Sequence, residues 1–268
     1  MGKIKLMVKK IAILCDLNIS SGLGHFSRMK NLSNIFKNKN IKCFFLFNKK
    51  DKKFVNNYSK NLNLIFFSNH NQYNNLKKII KKNNFSILII DSYKNTFLLE
   101  KNLVIEEIFV VSIDDHLRDH FSNIVVTNRN LENNFFKKKK NQIWLSGNKY
   151  ILVKKNNDKI NKSKFIFNRK NLLLHAGGSS LYENIKEFTI STLKAVDRYD
   201  LEASVICTSE KAKVFIKKLL KKNNISSKIK ILPFINNLSK KVSDYDLVAG
   251  PMGTTTLEAI SSGVFPFS

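Results

Sequence analysis

Two doubly wound α/β domains, each a parallel sheet with helices on both faces, are what this chain's pattern predicts. Three observations carry that expectation. Short apolar runs alternate with helix-period segments along most of the 268 residues; the alternation lapses once, between about Asn128 and Arg169, and restarts; and each half opens with a strand running into a glycine loop. Continuous apolar runs spaced by helices suit strands buried on both faces, and the right-handed crossover makes a doubly wound sheet the default.

The first strand is Ile11-Ala-Ile-Leu-Cys15, and a loop with Gly22 and Gly24 follows it. Phe26, Met29, Leu32 and Phe36 then fall on one face of a helix. Further strands are expected at 41–47, 62–67, 85–90, 108–113 and 124–127, separated by helical stretches such as that marked by Tyr73, Leu76, Ile79 and Ile80. Residues 1–153 are read as the first domain, 154–168 as a linker and 169–268 as the second domain. There the strands are expected at 171–175, 201–207, 229–232, 245–249 and 264–267, with helices at about 182–196, 209–222, around Leu238 and through Leu257 and Ile260. The pattern stops on a strand with no helix after it, so the second domain reads as truncated.

A 43% apolar share is ample for a packed core, but a net charge of +27 is unusual. A basic excess of this size can serve nucleic acid, an acidic membrane surface or an anionic small substrate. Among the 47 basic residues only Arg28, Arg118, Arg129, Arg169 and Arg198 are arginine. Base readout favours the planar guanidinium fork, and lysines scattered among asparagine and isoleucine fit a solvated surface better than a specific nucleic-acid face. Cys15, Cys43 and Cys207 have no paired spacing, so reduced thiols are expected and neither a disulfide framework nor a zinc site. No run is long enough for a signal h-region or a membrane span. A cytoplasmic protein is the resulting expectation.

Polar groups cluster at strand ends, where ligands of such sheets bind. Gly22, Gly24, His25 and Arg28 stand at a strand–turn–helix junction, a natural anion site. Asp91-Ser-Tyr93 and Asp114-Asp115-His116 follow two other strands, and Gly177-Gly178 a fourth. Asp91 and Asp114 read equally well as helix N-caps. Neighbouring Asp114 and Asp115 do not easily face one site together, so one of them is expected to be structural. The Gly253-Thr254-Thr255 turn offers N–H groups and hydroxyls to a diphosphate, and Glu258, four residues beyond Thr254, shares that helix face and can accept both hydroxyls of a ribose.

These pieces, in this order, resemble the UDP-sugar hydrolases of pseudaminic acid biosynthesis, which are similar to the glycosyltransferase that makes lipid II; both are two-domain GT-B enzymes. The matching residues are Gly22-x-Gly24-His25-x-x-Arg28, Asp91-x-Tyr93, Ile113-Asp114-Asp115, Gly147-x-x-Tyr150-x-Leu152, Gly177-Gly178, Asp246-Leu-Val-x-Gly250, Gly253-x-Thr255-x-x-Glu258 and Gly263-x-x-Pro266. Ser179-Ser180-Leu181 stands where the family carries an acidic residue.

The resemblance implies two Rossmann-like domains facing a cleft and the release of UDP from a UDP-2,4-diacetamido-2,4,6-trideoxy sugar by water attack at the anomeric carbon. It implies His25 as the general base, with Gly22, Gly24, Arg28, Asp91, Tyr93 and Asp115 on the sugar side. Gly177, Gly178, Gly253, Thr254 and Thr255 would meet the nucleotide, Glu258 the ribose and the backbone near Ile235 the uracil. No cofactor or metal is implied; the expected partner is the UDP-sugar itself. A GT-B transferase, with an acceptor hydroxyl in place of water, and a UDP-sugar-binding fragment without turnover fit the same residues.

Overall fold

The computed structural model describes residues 9–18, 21–68, 72–92, 94, 96–129, 141–153, 170–177, 182–225, 228–235 and 238–268. Tyr93, Gly178 and the linker expected at 154–168 lie outside the described residues. The chain divides into two compact units, one of residues 1–21 and 25–152, the other of Gly22–Gly24 and Val153–Ser268.

In the first unit, the strands β1 (Lys10–Cys15), β2 (Lys42–Asn48), β3 (Asn63–Phe67), β4 (Ile87–Asp91), β5 (Phe109–Ile113), β6 (Ile124–Thr127) and β7 (Ile143–Ser146) form one sheet. Its order is β3-β2-β1-β4-β5-β6-β7, and every ladder is parallel. The helices are α1 (Gly24–Lys37), α2 (Lys52–Tyr58), α3 (Gln72–Asn83) and α4 (Phe97–Ile105). The period-2 alternation of a strand explains how both faces are covered. Ala12, Leu14, Leu88, Ile90 and Val110 share one core with Leu76 and Ile80 of α3 and Leu103 of α4. The oppositely pointing Phe45 and Phe47 meet Phe26 of α1, with ring centroids 5.8 and 6.1 Å apart.

The strand β7 departs from the sequence expectation, which placed no element there. It has four residues, forms the edge of the sheet and is only partly buried, so its apolar signal is weak. The remaining expected strands of this unit appear within a residue or two of their anticipated bounds.

Among its described residues the second unit repeats the plan with five strands, β8 (Asn171–Leu174), β9 (Glu202–Ile206), β10 (Ile229–Leu232), β11 (Leu247–Ala249) and β12 (Phe265–Phe267), again all parallel. Its helices are α5 (Lys186–Arg198), α6 (Glu210–Lys222), α7 (Leu238–Lys241) and α8 (Thr254–Ser261). Leu172, Leu174, Ala203 and Val205 pack with Leu193 and Val196 of α5 and with Ile216 and Leu219 of α6. On the other face Leu173, Ile206 and Val248 pack with Val242 and with Ala259 of α8. The order is β10-β9-β8-β11-β12.

Helix ends follow from an unusual glycine economy. With 9 glycines in the chain, Asn40, Asn84 and Asn224 take the left-handed conformation after α1, α3 and α6, at φ of 60°, 54° and 51°. Asparagine is the residue after glycine that tolerates this cap best. The next residue then donates back to the last turn, as Phe85 N–H does to the Ile80 carbonyl at 3.0 Å. All three cysteines are buried and unpaired, in agreement with the reduced thiols expected. Among the described residues no helix is long and apolar enough to cross a membrane.

The two sheets share one topology in their first five strands. Each chain path winds one way, returns, and winds the other way, so each sheet has a switch point: between β1 and β4, and between β8 and β11. Loops leaving adjacent strands at a switch point diverge, and the crevice at the carboxyl ends is where ligands of open α/β sheets bind. The loops carrying Gly22, Asp91, Gly177 and Gly253 leave these four strands, and the Asp114-Asp115 loop leaves β5, the neighbour of β4.

Candidate functional site

In the first unit, the exits of β1, β4 and β5 bring four of the expected residues together. Gly22 takes φ of 69°, a conformation that lets the loop double back into α1. His25 and Arg28 then lie three residues apart on one face of that helix. Asp91, the last residue of β4, is fully buried; His25 is 4% exposed. His25 Nδ1 is 2.5 Å from Asp91 Oδ1, and Arg28 donates through Nη2 to Oδ1 and through Nε to Oδ2, both at 2.5 Å. The remaining edge of the fork, Nη1, donates to Asp115 Oδ2 at 2.6 Å.

Electrostatics decides the protonation of this cluster. Burial works to raise the pKa of Asp91, but the hydrogen bonds and charge of Arg28, and then His25, outweigh it and hold the carboxyl below its usual range. Burial opposes the charge of Arg28, and Asp91 and Asp115 together raise its pKa nonetheless. Asp91 is therefore an acceptor-only carboxylate at neutral pH. The His25 nitrogen facing it must carry the proton, which makes Nε2 the nitrogen with the lone pair in the neutral ring. Arg28 Nη2 also lies 3.1 Å from His25 Nδ1, and both converge on the same oxygen of Asp91.

Asp91 is thus neither a cap nor a group open to solvent. Asp114 is the cap. Its two oxygens accept from the backbone N–H groups of His116, at 2.9 Å, and Arg118, at 2.7 Å. Its neighbour Asp115, half-buried, is the one that reaches Arg28. That resolves which of the two adjacent aspartates is structural.

Behind these loops lies a second buried cluster that the sequence reading missed. Glu100 of α4 is fully buried and accepts from Thr96 Oγ1 at 2.6 Å, Ser112 Oγ at 3.0 Å and the backbone N–H of Phe121 at 2.7 Å. His120 Nδ1 is 2.9 Å from Glu100 Oε1, while its Nε2 stands 3.3 Å from Asp114 Oδ2, close enough for charge attraction. Burial disfavours charge on His120, but the two carboxylates prevail and push its pKa up to about 9. For Asp114 the same contest, burial against His120 and two N–H groups, ends well below the usual carboxylate range.

A histidine with a raised folded pKa contributes stability that is complete below its unfolded value, about 6.5, and lost as pH rises through its folded value. For His120 that window runs up to about 9. His120→Gln is expected to remove this dependence. Urea unfolding at a series of pH values across the window checks it: an equal decline in both proteins would contradict the assignment.

A small polar cavity of about 110 Å³ opens on the same strand ends, lined by Asp16, Asn18, Asn48, Ser92 and Lys94 above an apolar floor. Ser92 Oγ donates to Asp16 Oδ2 at 2.9 Å, tying the exits of β1 and β4.

In the second unit the expected nucleotide residues gather around β8 and β11. His175, at the end of β8, is 3% exposed, and its Nδ1 accepts from the Gly177 N–H at 3.1 Å. Burial alone lowers the pKa of His175 to about 4, so the ring is neutral. Gly250 opens the loop after β11 at φ of 155°, and a Cβ there would fall 2.4 Å from the His175 carbonyl oxygen and 2.7 Å from its Nε2. The backbone conformation and the ring beside it both require glycine. Gly253 is different: its φ of −165° is ordinary extended backbone, and a Cβ would meet nothing closer than 3.8 Å. It caps α8, whose first residues are Thr254 and Thr255, each half-buried. Thr256 Oγ1 donates to the Pro251 carbonyl at 2.9 Å and steadies the turn. Glu258, one turn in, is 7% exposed. Ile235 is half-buried against the core formed by Leu173, Val248 and Ala259.

Solved structures share this architecture. MurG of Acinetobacter baumannii superposes with a TM-score of 0.62 at 12% identity, covering 96% of this chain and 77% of that one. The fold is GT-B-like. UDP-GlcNAc 2-epimerase from Methanocaldococcus jannaschii matches with a TM-score of 0.58 at 15% identity over 96% of this chain and 82% of that one. Its complex with UDP-GlcNAc and UDP matches with a TM-score of 0.56 at 16% identity, over 96% and 83%. An uncharacterized protein of the same archaeon is 26% identical over 267 residues, 95% of this chain and 54% of that protein. The chain therefore spans about half the length of the curated relative it matches. No family model matches the chain.

Proposed function

We propose that this chain belongs to an enzyme acting on UDP-sugars, and that its reaction is hydrolysis: release of UDP from UDP-2,4-diacetamido-2,4,6-trideoxy-β-L-altrose, in the making of a nonulosonic acid such as pseudaminic acid. The observation that carries this reading is the buried Asp91–His25 pair completed by Arg28, with Nδ1 2.5 Å from the carboxylate. An imidazole whose Nδ1 proton is committed to a carboxylate presents the lone pair of Nε2 as the base. That is the requirement for drawing a proton from water as its oxygen bonds to the anomeric carbon. The anomeric carbon–oxygen bond breaks with both electrons going to UDP. Backbone N–H groups at the start of α8 and the hydroxyls of Thr254 and Thr255 would stabilise the charge gathering on the diphosphate, with Gly177 and Gly178 beside it and Glu258 on the ribose. Gly22, Gly24, Tyr93 and Asp115 would complete the sugar side.

Asp91 changes role in this scheme. As a fully buried group whose oxygens are held by His25 and Arg28, it orients the base rather than the sugar.

Incubation with the UDP-sugar alone tests the reaction. Free UDP formed without acceptor supports hydrolysis; UDP release that depends strictly on an added acceptor hydroxyl replaces it with glycosyl transfer. For the nucleotide role, Glu258→Ala is expected to weaken UDP binding by roughly 1.5–3 kcal/mol, the range of a lost hydrogen bond to a charged group. Calorimetric titration with UDP measures it, and unchanged affinity removes Glu258 from the ribose.

A further inference from the structure

We infer that Arg118 is a positioning residue for the His25 cluster, acting by clamping together the two loops that deliver Asp91 and Asp115 to Arg28. The inference rests on the reading of His25 as the base. Arg28 meets Asp91 with one edge of its guanidinium and Asp115 with the other. Those carboxylates come from neighbouring strands, and the β4–β5 ladder ends at the pair Asp91 and Ile113. Beyond that pair the spacing between the two exits is set by whatever joins the loops.

Arg118 joins them. Its Nη2 donates to the Ser92 carbonyl at 2.8 Å and its Nη1 to the Lys94 carbonyl at 2.6 Å, so it grips the chain directly after Asp91. Its backbone N–H and its Nε reach the two oxygens of Asp114, at 2.7 and 3.3 Å, so it grips the residue directly before Asp115. Asp114 is in turn backed by His120, and His120 by Glu100 of α4. The clamp is thus anchored to α4 through Glu100, which also accepts from Ser112 of β5. A planar fork can satisfy two carbonyls and a carboxylate at once; a lysine ammonium on a flexible stem does not hold the same geometry.

The consequence is geometric. Without the clamp the exits of β4 and β5 separate, Arg28 keeps one carboxylate at the expense of the other, and the bond from His25 Nδ1 to Asp91 loosens. Misplacement of about 1 Å at a reacting group can cost on the order of 100-fold in rate.

The test uses the full chain labelled with ¹⁵N-histidine. In the wild type the two His25 ring nitrogens should report the Nδ1–H tautomer. In folded Arg118→Gln that tautomer should lose population, and kcat for UDP release should fall roughly 10–100-fold with KM nearly unchanged. Arg118→Lys should recover part of both signals, and it reads the same nitrogens if the glutamine variant fails to fold. Wild-type His25 shifts in a folded variant, even one with a lower melting temperature, overturn the proposal, because they mark a role in stability alone. If the wild type releases no UDP from its sugar, the hydrolase reading fails while the nitrogen shifts still decide the role of Arg118.

Discussion

Replacement of His25 by alanine is expected to lower the rate of UDP release by roughly 10²–10⁴-fold, the usual contribution of a positioned general base, while UDP itself binds as before. The asymmetry follows from where the groups sit in the chain. His25 is held by Asp91, which Arg28 holds in turn, all within the first unit, whereas the residues assigned to the nucleotide belong to the second. His25→Ala removes the ring but leaves the Arg28 bridges to Asp91 and Asp115 available, so the fold of the first unit should survive. Steady-state release of UDP, read beside UDP titration, checks both halves of the expectation. Wild-type turnover in the variant would show that another group takes the proton. Parallel loss of turnover and UDP affinity would move His25 from the sugar end to the nucleotide.

Much of this was legible from residue order alone, for identifiable reasons. Buried parallel strands need continuous apolar runs, so Ile11–Cys15 and Ile87–Ile90 announce themselves; the four-residue edge strand Ile143–Ser146 buries little and does not. The meeting of His25 and Arg28 follows from helical spacing, and their alignment with Asp91 follows from the rule that ligands gather at strand carboxyl ends. The distinction between Asp114 and Asp115 was not readable, because it depends on which way a two-residue turn points its side chains.

Arg118 and His120 were overlooked because nothing in their local sequence separates them from a polar loop. One signal was present. In a chain that uses lysine almost everywhere, the rare arginines Arg28 and Arg118 occupy positions where a forked donor meets two or three acceptors at once. Arg198, stacked over Tyr199 at 5.5 Å, shows that the signal is not exclusive. Composition bias raises the information carried by the residue it disfavours.

Asp91→Asn should have the largest effect on stability of any single substitution in the cluster. The side chains involved are Asp91, with no exposure, His25, at 4%, and Arg28, at 13%. Asparagine keeps the shape but removes the charge, leaving the Arg28 guanidinium buried with only the half-exposed Asp115 as counter-ion. Breaking one partner of a buried ion pair typically costs about 3–5 kcal/mol, because the other charge stays desolvated and uncompensated. The pH dependence gives the diagnostic. A carboxylate whose folded pKa is depressed supplies stability that is complete above its unfolded pKa, about 3.9, and lost as pH falls through the folded value. The wild type should therefore lose stability steeply on acidification below about pH 4, and the variant, weaker at neutral pH, should decline less over the same range. Urea unfolding at neutral and acidic pH separates this from a simple packing defect, which would shift both curves equally. Chemistry should fail as well. The side-chain amide of the variant can turn its NH₂ toward Nδ1 of His25, which would place the ring proton on Nε2 and remove the lone pair needed to activate water. A variant that unfolds earlier yet keeps the wild-type tautomer and turnover would confine Asp91 to holding Arg28 in place.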